Sequence, residues 1–228
     1  MNYRHAFHAG NFADVFKHAL LARLLIYLAR KETPFRVIDT HAGEGAYDLA
    51  SDEAERTGEW RGGVGRLGGL AGMDPRQAEL LKPYLDCVGP FVDGRPALYP
   101  GSPLLTQRLM RANDRAIFCE LREDAFDALR RRFARDKRIK TIHLDGYTGA
   151  GAFVPPVERR GLVLIDPPFE RTDEFRAMFD AFLAAYRKWP TGIYALWHPV
   201  KDAAQARSFF EAFRREGLRR VLRLELSV

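Results

Sequence analysis

The chain has 228 residues, 46% hydrophobic and 29% charged, which is enough apolar content for a full core and excludes an intrinsically disordered segment. Its formal net charge of +6 and pI near 9.5 favour a polyanionic partner, against the plainer reading of a solvated, arginine-rich surface. The most apolar stretch, near residues 19–29, is broken by Arg23, and Met1-Asn2-Tyr3-Arg4-His5 opens polar with no leader pattern, so neither a membrane span nor an export signal is expected. Cys87 and Cys119 offer no metal-ligand spacing and read as buried thiols, so the expectation is a cytoplasmic, metal-free monomer.

Asn11 reads as an N-cap with Asp14 in the first turn, and Phe12, Phe16, Leu20, Leu24 and Leu28 follow at four-residue steps, which predicts a helix over 12–30. The run Phe35-Arg36-Val37-Ile38-Asp39-Thr40 is β-prone and stops at a glycine-rich turn. Glycine-rich turns cluster over 62–72, and residues 75–88 read as a helix. Ser102 reads as the N-cap of a helix over 103–112. Strands are predicted over 116–121, 140–144, 161–166, 193–198 and 221–228, and helices over 124–134, 172–188 and 203–216. This alternation means an α/β fold with a parallel sheet covered on both faces. About 75 residues separate the first two strands, where a βαβ unit needs about 30. Residues 47–100 are therefore expected to form a small, mainly helical insert in a main domain built from 1–46 and 101–228.

In a doubly wound sheet, ligands gather beyond the carboxyl ends of the strands. That placement groups Asp39, Glu120, Asp145 and Asp166, although each could equally cap a helix or sit on the surface. Glu120 is placed to accept both hydroxyls of a ribose, and Asp145-Gly146 to accept from an adenine amine. Asp39-Thr40-His41-Ala42-Gly43-Glu44-Gly45 resembles the first cofactor motif of S-adenosylmethionine-dependent methyltransferases, with Gly43 and Gly45 letting backbone approach the methionine part. It is not a dinucleotide fingerprint, because Asp48 replaces the third glycine, which disfavours a nicotinamide enzyme. Asp166-Pro167-Pro168-Phe169 follows the apolar run 161–165. There the Asp166 carboxylate and Pro167 carbonyl are suited to accept both hydrogens of a planar amine, with Phe169 stacking on its ring.

The run Tyr3-Arg4-His5-Ala6-Phe7-His8-Ala9-Gly10-Asn11, then Ala13-Asp14-Val15 and Lys17-His18, is unusual for a generic methyltransferase. Together with Asp39 to Gly45, Tyr99-Pro100-Gly101-Ser102-Pro103, Leu164-Ile165-Asp166-Pro167-Pro168 and Tyr194-Ala195-Leu196-Trp197, it closely resembles the J family of large-subunit ribosomal RNA adenine-N6 methyltransferases. The resemblance implies a Rossmann-like class I methyltransferase fold and methylation of one adenine of 23S ribosomal RNA. By motif it assigns His18, His41, Ser102, Glu120, Asp145, Gly146 and Asp166 to S-adenosylmethionine, Asp166 also to catalysis, and Tyr3, His5 and Lys17 to the substrate side. Two departures stand out. Position 169 is Phe where the close family has Tyr, and the family continues past a strand like 222–226 into a hairpin, so a final antiparallel strand is expected to be missing.

The expected reaction is direct transfer to N6, with Lys17 and the arginine clusters holding phosphates while Tyr3 and Phe169 contact the base. Those clusters are Arg130-Arg131-Arg132, Arg159-Arg160, Arg214-Arg215 and Arg219-Arg220, with Lys137, Arg138 and Lys140 nearby. The alternatives are an amino methyltransferase of DNA adenine or of a protein glutamine, and a non-catalytic RNA-binding protein of the same fold.

Overall fold

The computed structural model describes residues 3–68, 73–200 and 203–227. In chain order the elements are α1 (Phe12–Ala29), β1 (Arg36–Asp39), β2 (Ala46–Tyr47), α2 (Asp52–Thr57), α3 (Pro75–Val88), β3 (Phe91–Val92), β4 (Arg95–Pro96), β5 (Tyr99–Pro100) and α4 (Ser102–Leu109). They continue with β6 (Arg115–Glu120), α5 (Glu123–Phe133), β7 (Ile139–His143), α6 (Gly146–Ala152), β8 (Gly161–Ile165), α7 (Glu174–Lys188), β9 (Ile193–Leu196) and α8 (Ala203–Arg215).

Five strands pair in the order β7-β6-β1-β8-β9, all parallel. Successive side chains on a strand point to opposite faces, and the core divides accordingly. Val37, Phe118, Leu162 and Leu164 join Leu21, Leu25 and Leu129 of α1 and α5 on one side, while Ile38, Val163 and Ile165 join Met178, Phe182 and Trp189 on the other. Both faces are covered, so the central strands read as continuous apolar runs. The chain steps outward from β1 to β6 and β7, then returns to β8 on the other side of β1. Ligands of such sheets bind at the carboxyl ends beside this reversal.

Residues 47–100 enter and leave at one point, because β2 and β5 pair antiparallel with Ala46 opposite Pro100. Leu49, Trp60, Val64 and Tyr84 belong to the same apolar cluster as Leu21, Leu25 and Val37, so this segment extends the main core. Residues 69–72 of the expected glycine-rich turns lie outside the described residues.

Several expectations need correction. The face of α1 that is buried runs through Asp14, Lys17, His18, Leu21, Ala22, Leu25 and Leu28, whereas Phe12 is 43% exposed. The predicted stripe is displaced because the N-terminal half of α1 turns polar side chains inward, where they line a cleft. Ser102 is the first helical residue of α4 and Gly101 precedes it, so the Ser102 hydroxyl is not spent on capping. Residues 218–227 form no strand, and Leu222 is 81% exposed: alternating apolar residues there find no partner ladder. Residue 228 lies outside the described residues. No antiparallel strand joins the main sheet among the described residues.

Candidate active site

A cleft of about 490 Å³ opens at the carboxyl ends of β1, β6 and β8. Tyr3, His5, Lys17, His18, His41, Gly43, Ser102, Glu120, Gly146, Asp166, Pro167 and Phe169 all line it. Of the residues that the sequence grouped at the site, Asp39 and Gly45 are off the wall, and so is Asp145. It is the N-cap of α6, and its Oδ2 accepts from the Thr148 N–H and hydroxyl, both at 2.8 Å. The helix beginning directly at Gly146 engages that one oxygen, and Oδ1 takes no hydrogen bond among the described residues.

The glycine turn after β1 is set by the protein's own packing. Gly43 and Gly45 have φ of +60° and +84°, a region where L side chains are strained. A Cβ on Gly43 would lie 2.2 Å from the Tyr47 hydroxyl, and one on Gly45 would lie 2.8 Å from the Phe133 ring. The sequence reading attributed both glycines to close approach of a ligand; neighbouring side chains already demand them. Gly146 is similar, since a Cβ there would lie 2.3 Å from the Thr40 carbonyl oxygen.

Backbone donors hold Glu120 at the end of β6. Its Oε2 accepts from Gly43 N–H at 2.8 Å and its Oε1 from Arg122 N–H at 2.7 Å. Each oxygen keeps a further lone pair for a ligand hydroxyl. Asp39, at the end of β1, is fully buried, and its Oδ2 has no hydrogen-bond partner. Burial pushes its carboxyl up to about 7 from an ordinary 3.8. His18 is buried and His41 partly so, and desolvation lowers both; His18 falls to about 3, although Asp14 works against the drop. His18 Nδ1 meets the Tyr99 hydroxyl at 2.9 Å, which in turn lies 3.2 Å from that of Tyr84 on α3.

The opposite wall is a chain of side chains. Tyr3 OH shares a 2.8 Å hydrogen bond with His5 Nδ1, and His5 Nε2 meets Asp14 Oδ2 at 2.9 Å. Asp14 Oδ1 lies 3.1 Å from Lys17 Nζ, which donates to Asp166 Oδ2 at 2.5 Å. Burial would depress Lys17, yet Asp166 and Asp14 hold it well above its ordinary value, so it is a cation. Burial would likewise raise Asp14, but His5 and Lys17 keep it well below the usual carboxylate range. Asp166 Oδ1 takes no hydrogen bond among the described residues and stays available on the cleft wall. Phe169 occupies the left-handed region at φ +51° and packs edge-on to Phe175 at 5.0 Å. Such a backbone costs about 1 kcal/mol or more, and strain of this kind gathers at working sites.

The family model described as "Ribosomal RNA large subunit methyltransferase D, RlmJ" matches residues 32–228. The protein named Ribosomal RNA large subunit methyltransferase J of Escherichia coli (strain K12) is 40% identical over 229 residues, covering 100% of this chain and 80% of the relative. Its namesake in Haemophilus influenzae is 39% identical with the same coverage. The chain belongs to the RlmJ family. The solved structure of protein LPL1258 from Legionella pneumophila str. Philadelphia 1 superposes with a TM-score of 0.82 at 34% identity, over 91% of this chain and 76% of that one.

Three side chains of this RlmJ-family cleft escaped the sequence reading of the site. Asp14 read as a favourable first-turn acid, yet it also accepts from Gly10 N–H at 3.0 Å and joins His5 to Lys17. Trp197, just past β9, lines the cleft with its ring centroid 5.9 Å from Lys17 Nζ. Tyr47 lines it as well and accepts from Glu44 N–H at 3.2 Å. For Asp14 and Trp197 the only sequence signal was their place within the motifs that carry the family resemblance; Tyr47 lay outside them.

Proposed function

We propose that the chain transfers a methyl group from S-adenosylmethionine to N6 of one adenine in 23S ribosomal RNA. The relatives' names supply large-subunit ribosomal RNA as the substrate class. One observation carries the chemistry: the acid of Asp166-Pro167-Pro168-Phe169 ends β8 on the wall of the cleft that also holds the glycine turn and Glu120.

The residues present fit the cofactor. A sulfonium nucleoside with an amino-acid tail carries a ribose diol, and the cleft offers Glu120 with a free lone pair on each oxygen. His18, His41, Gly43, Ser102, Glu120, Asp145, Gly146 and Asp166 would hold it. When bound, it supplies an electrophilic methyl.

Asp166 Oδ1 and the Pro167 carbonyl would accept the two hydrogens of the adenine amine, favouring a pyramidal nitrogen with a localised lone pair. Lys17 fixes the orientation of Asp166 through Oδ2. Asp166 need not be a strong base: the methylated amine is acidic, and its proton passes to the carboxylate or to water after transfer. Phe169 and Tyr3 would sandwich a base that has left its stack, at a cost of a few kcal/mol in a duplex.

Mass spectrometry of ribosomal RNA from cells with and without the chain tests this reading. One N6-methyladenine should disappear from 23S RNA and return when the gene is restored. An unchanged methyladenine inventory would overturn the reading; methylation of duplex DNA or a glutamine peptide by the purified protein would favour the alternatives.

A further inference from the structure

The charge of the molecule is concentrated in one short segment. Residues 130–140 hold seven Lys or Arg against one Asp, a net +6, so the remaining 29 basic and 29 acidic residues balance. Elsewhere many arginines serve as internal staples. Arg160 donates to the carbonyls of Leu28 and Thr33, Arg111 to those of Ala29, Lys31 and Thr33, and Arg36 pairs with Glu158. Within the segment, Arg138 is tied to Asp136 and Met110, and Arg130 to Asp127.

Arg131, Arg132, Arg135, Lys137 and Lys140 remain. All five are exposed, and none shares an ion pair with a carboxylate among the described residues. Arg131 and Arg132 suit the negative end of α5, but Arg135, Lys137 and Lys140 lie beyond that helix. The strip begins at the cleft: Arg132 Nε donates to the carbonyl of Glu44 at 3.4 Å, and Glu44, Arg122 and Ala125 line the cleft mouth. It then runs outward to β7, the edge strand of the sheet. A row of unpaired guanidinium and ammonium groups leading from an active-site rim fits an anionic polymer.

We propose that this strip carries the phosphate backbone of the substrate RNA away from the target nucleotide. The proposal rests on the reading of the chain as an RNA methyltransferase and names the surface that such an enzyme uses to hold its substrate. The contacts are to phosphate, so they set affinity and register and leave base recognition to the cleft.

The triple variant Arg131→Ala/Arg135→Ala/Lys137→Ala tests it against Arg176→Ala/Arg187→Ala/Arg207→Ala, which removes the same charge from exposed positions on α7 and α8, across the sheet. In-vitro-transcribed 23S ribosomal RNA is the probe, and KM, binding as a function of salt and cofactor affinity are the readouts. The strip variant should raise the RNA KM roughly tenfold or more near physiological salt and flatten the log affinity against log salt plot by about 2, with cofactor affinity unchanged. The control should behave as the parent. An unchanged salt slope in the strip variant, or an equal loss in both variants, overturns the proposal while methylation by the parent leaves the functional reading standing. A parent that methylates no ribosomal RNA removes that reading and this proposal with it. Should the triple variant fail to fold, the single changes Arg131→Ala and Arg135→Ala read the same slope, each expected to lower it by about 0.7.

Discussion

Glu120 and Asp166 end neighbouring parts of the same sheet, yet they are held in different ways. Two backbone N–H groups fix Glu120, so its carboxylate cannot turn without moving the glycine turn or the start of α5. Asp166 is held by the Lys17 ammonium, itself the end of a chain of side chains reaching back to Tyr3. The first arrangement suits a ligand that must always be bound alike. The second leaves one oxygen open and can re-form around a substrate, because side-chain torsions change more cheaply than strand ends.

The sharpest way to separate the two halves is Asp166→Ala. Methyl transfer should fall by about 10² to 10³-fold or more, as when other preorganised groups at a reacting atom are removed. Cofactor affinity, measured by calorimetry, should change only a few-fold. Turnover like the parent's would show that the Asp166 half plays no part in chemistry.

Asp39, which ends β1 one residue before the cleft-lining Thr40, is probed through pH. Its folded value of about 7 lies above the ordinary 3.8, so the folded chain binds the extra proton between those values and stability falls as pH climbs through that window. The penalty is fully present above pH 7 and amounts to roughly 4 kcal/mol at most. Asp39→Asn removes it. Thermal melts should therefore show the variant gaining on the parent from pH 4 to 7. A stability difference that stays flat with pH would mean that the buried oxygen has a donor after all.

Gly43→Ala should destabilise by about 1–3 kcal/mol from its positive φ and the collision with the Tyr47 hydroxyl. Combined with Tyr47→Phe, the loss should shrink towards the backbone cost of about 1 kcal/mol. Equal melting of the single and double variants would locate the constraint elsewhere. The smallest effect is expected for Tyr3→Phe, which deletes one end of the side-chain relay. Methylation should drop several-fold with cofactor affinity held, and an equal drop in cofactor affinity would erase the distinction between the halves.

Much of this was legible in the residues. Asn11 caps α1 and accepts from Asp14 N–H at 2.9 Å, and the five sheet strands fall within a residue or two of their predicted runs, the central β8 most plainly because a parallel strand buried on both faces is continuously apolar. The helix at Gly146–Ala152 was not legible: three of its seven residues are glycine, so propensity argues against it, and the Asp145 cap and the burial of Gly146, Gly149 and Ala150 support it instead. Without that helix, the capping role of Asp145 Oδ2 could not be read.

By itself the sequence determined the strand–helix alternation, the acids at the strand ends and the excess of positive charge, since periodicity, turn residues and composition are local properties. Tertiary structure alone decided which of those acids keep free oxygens, which arginines are spent on carbonyls and which face of α1 turns inward. The reason is physical: whether a polar atom is satisfied depends on partners that lie tens of residues away, and no local pattern records them.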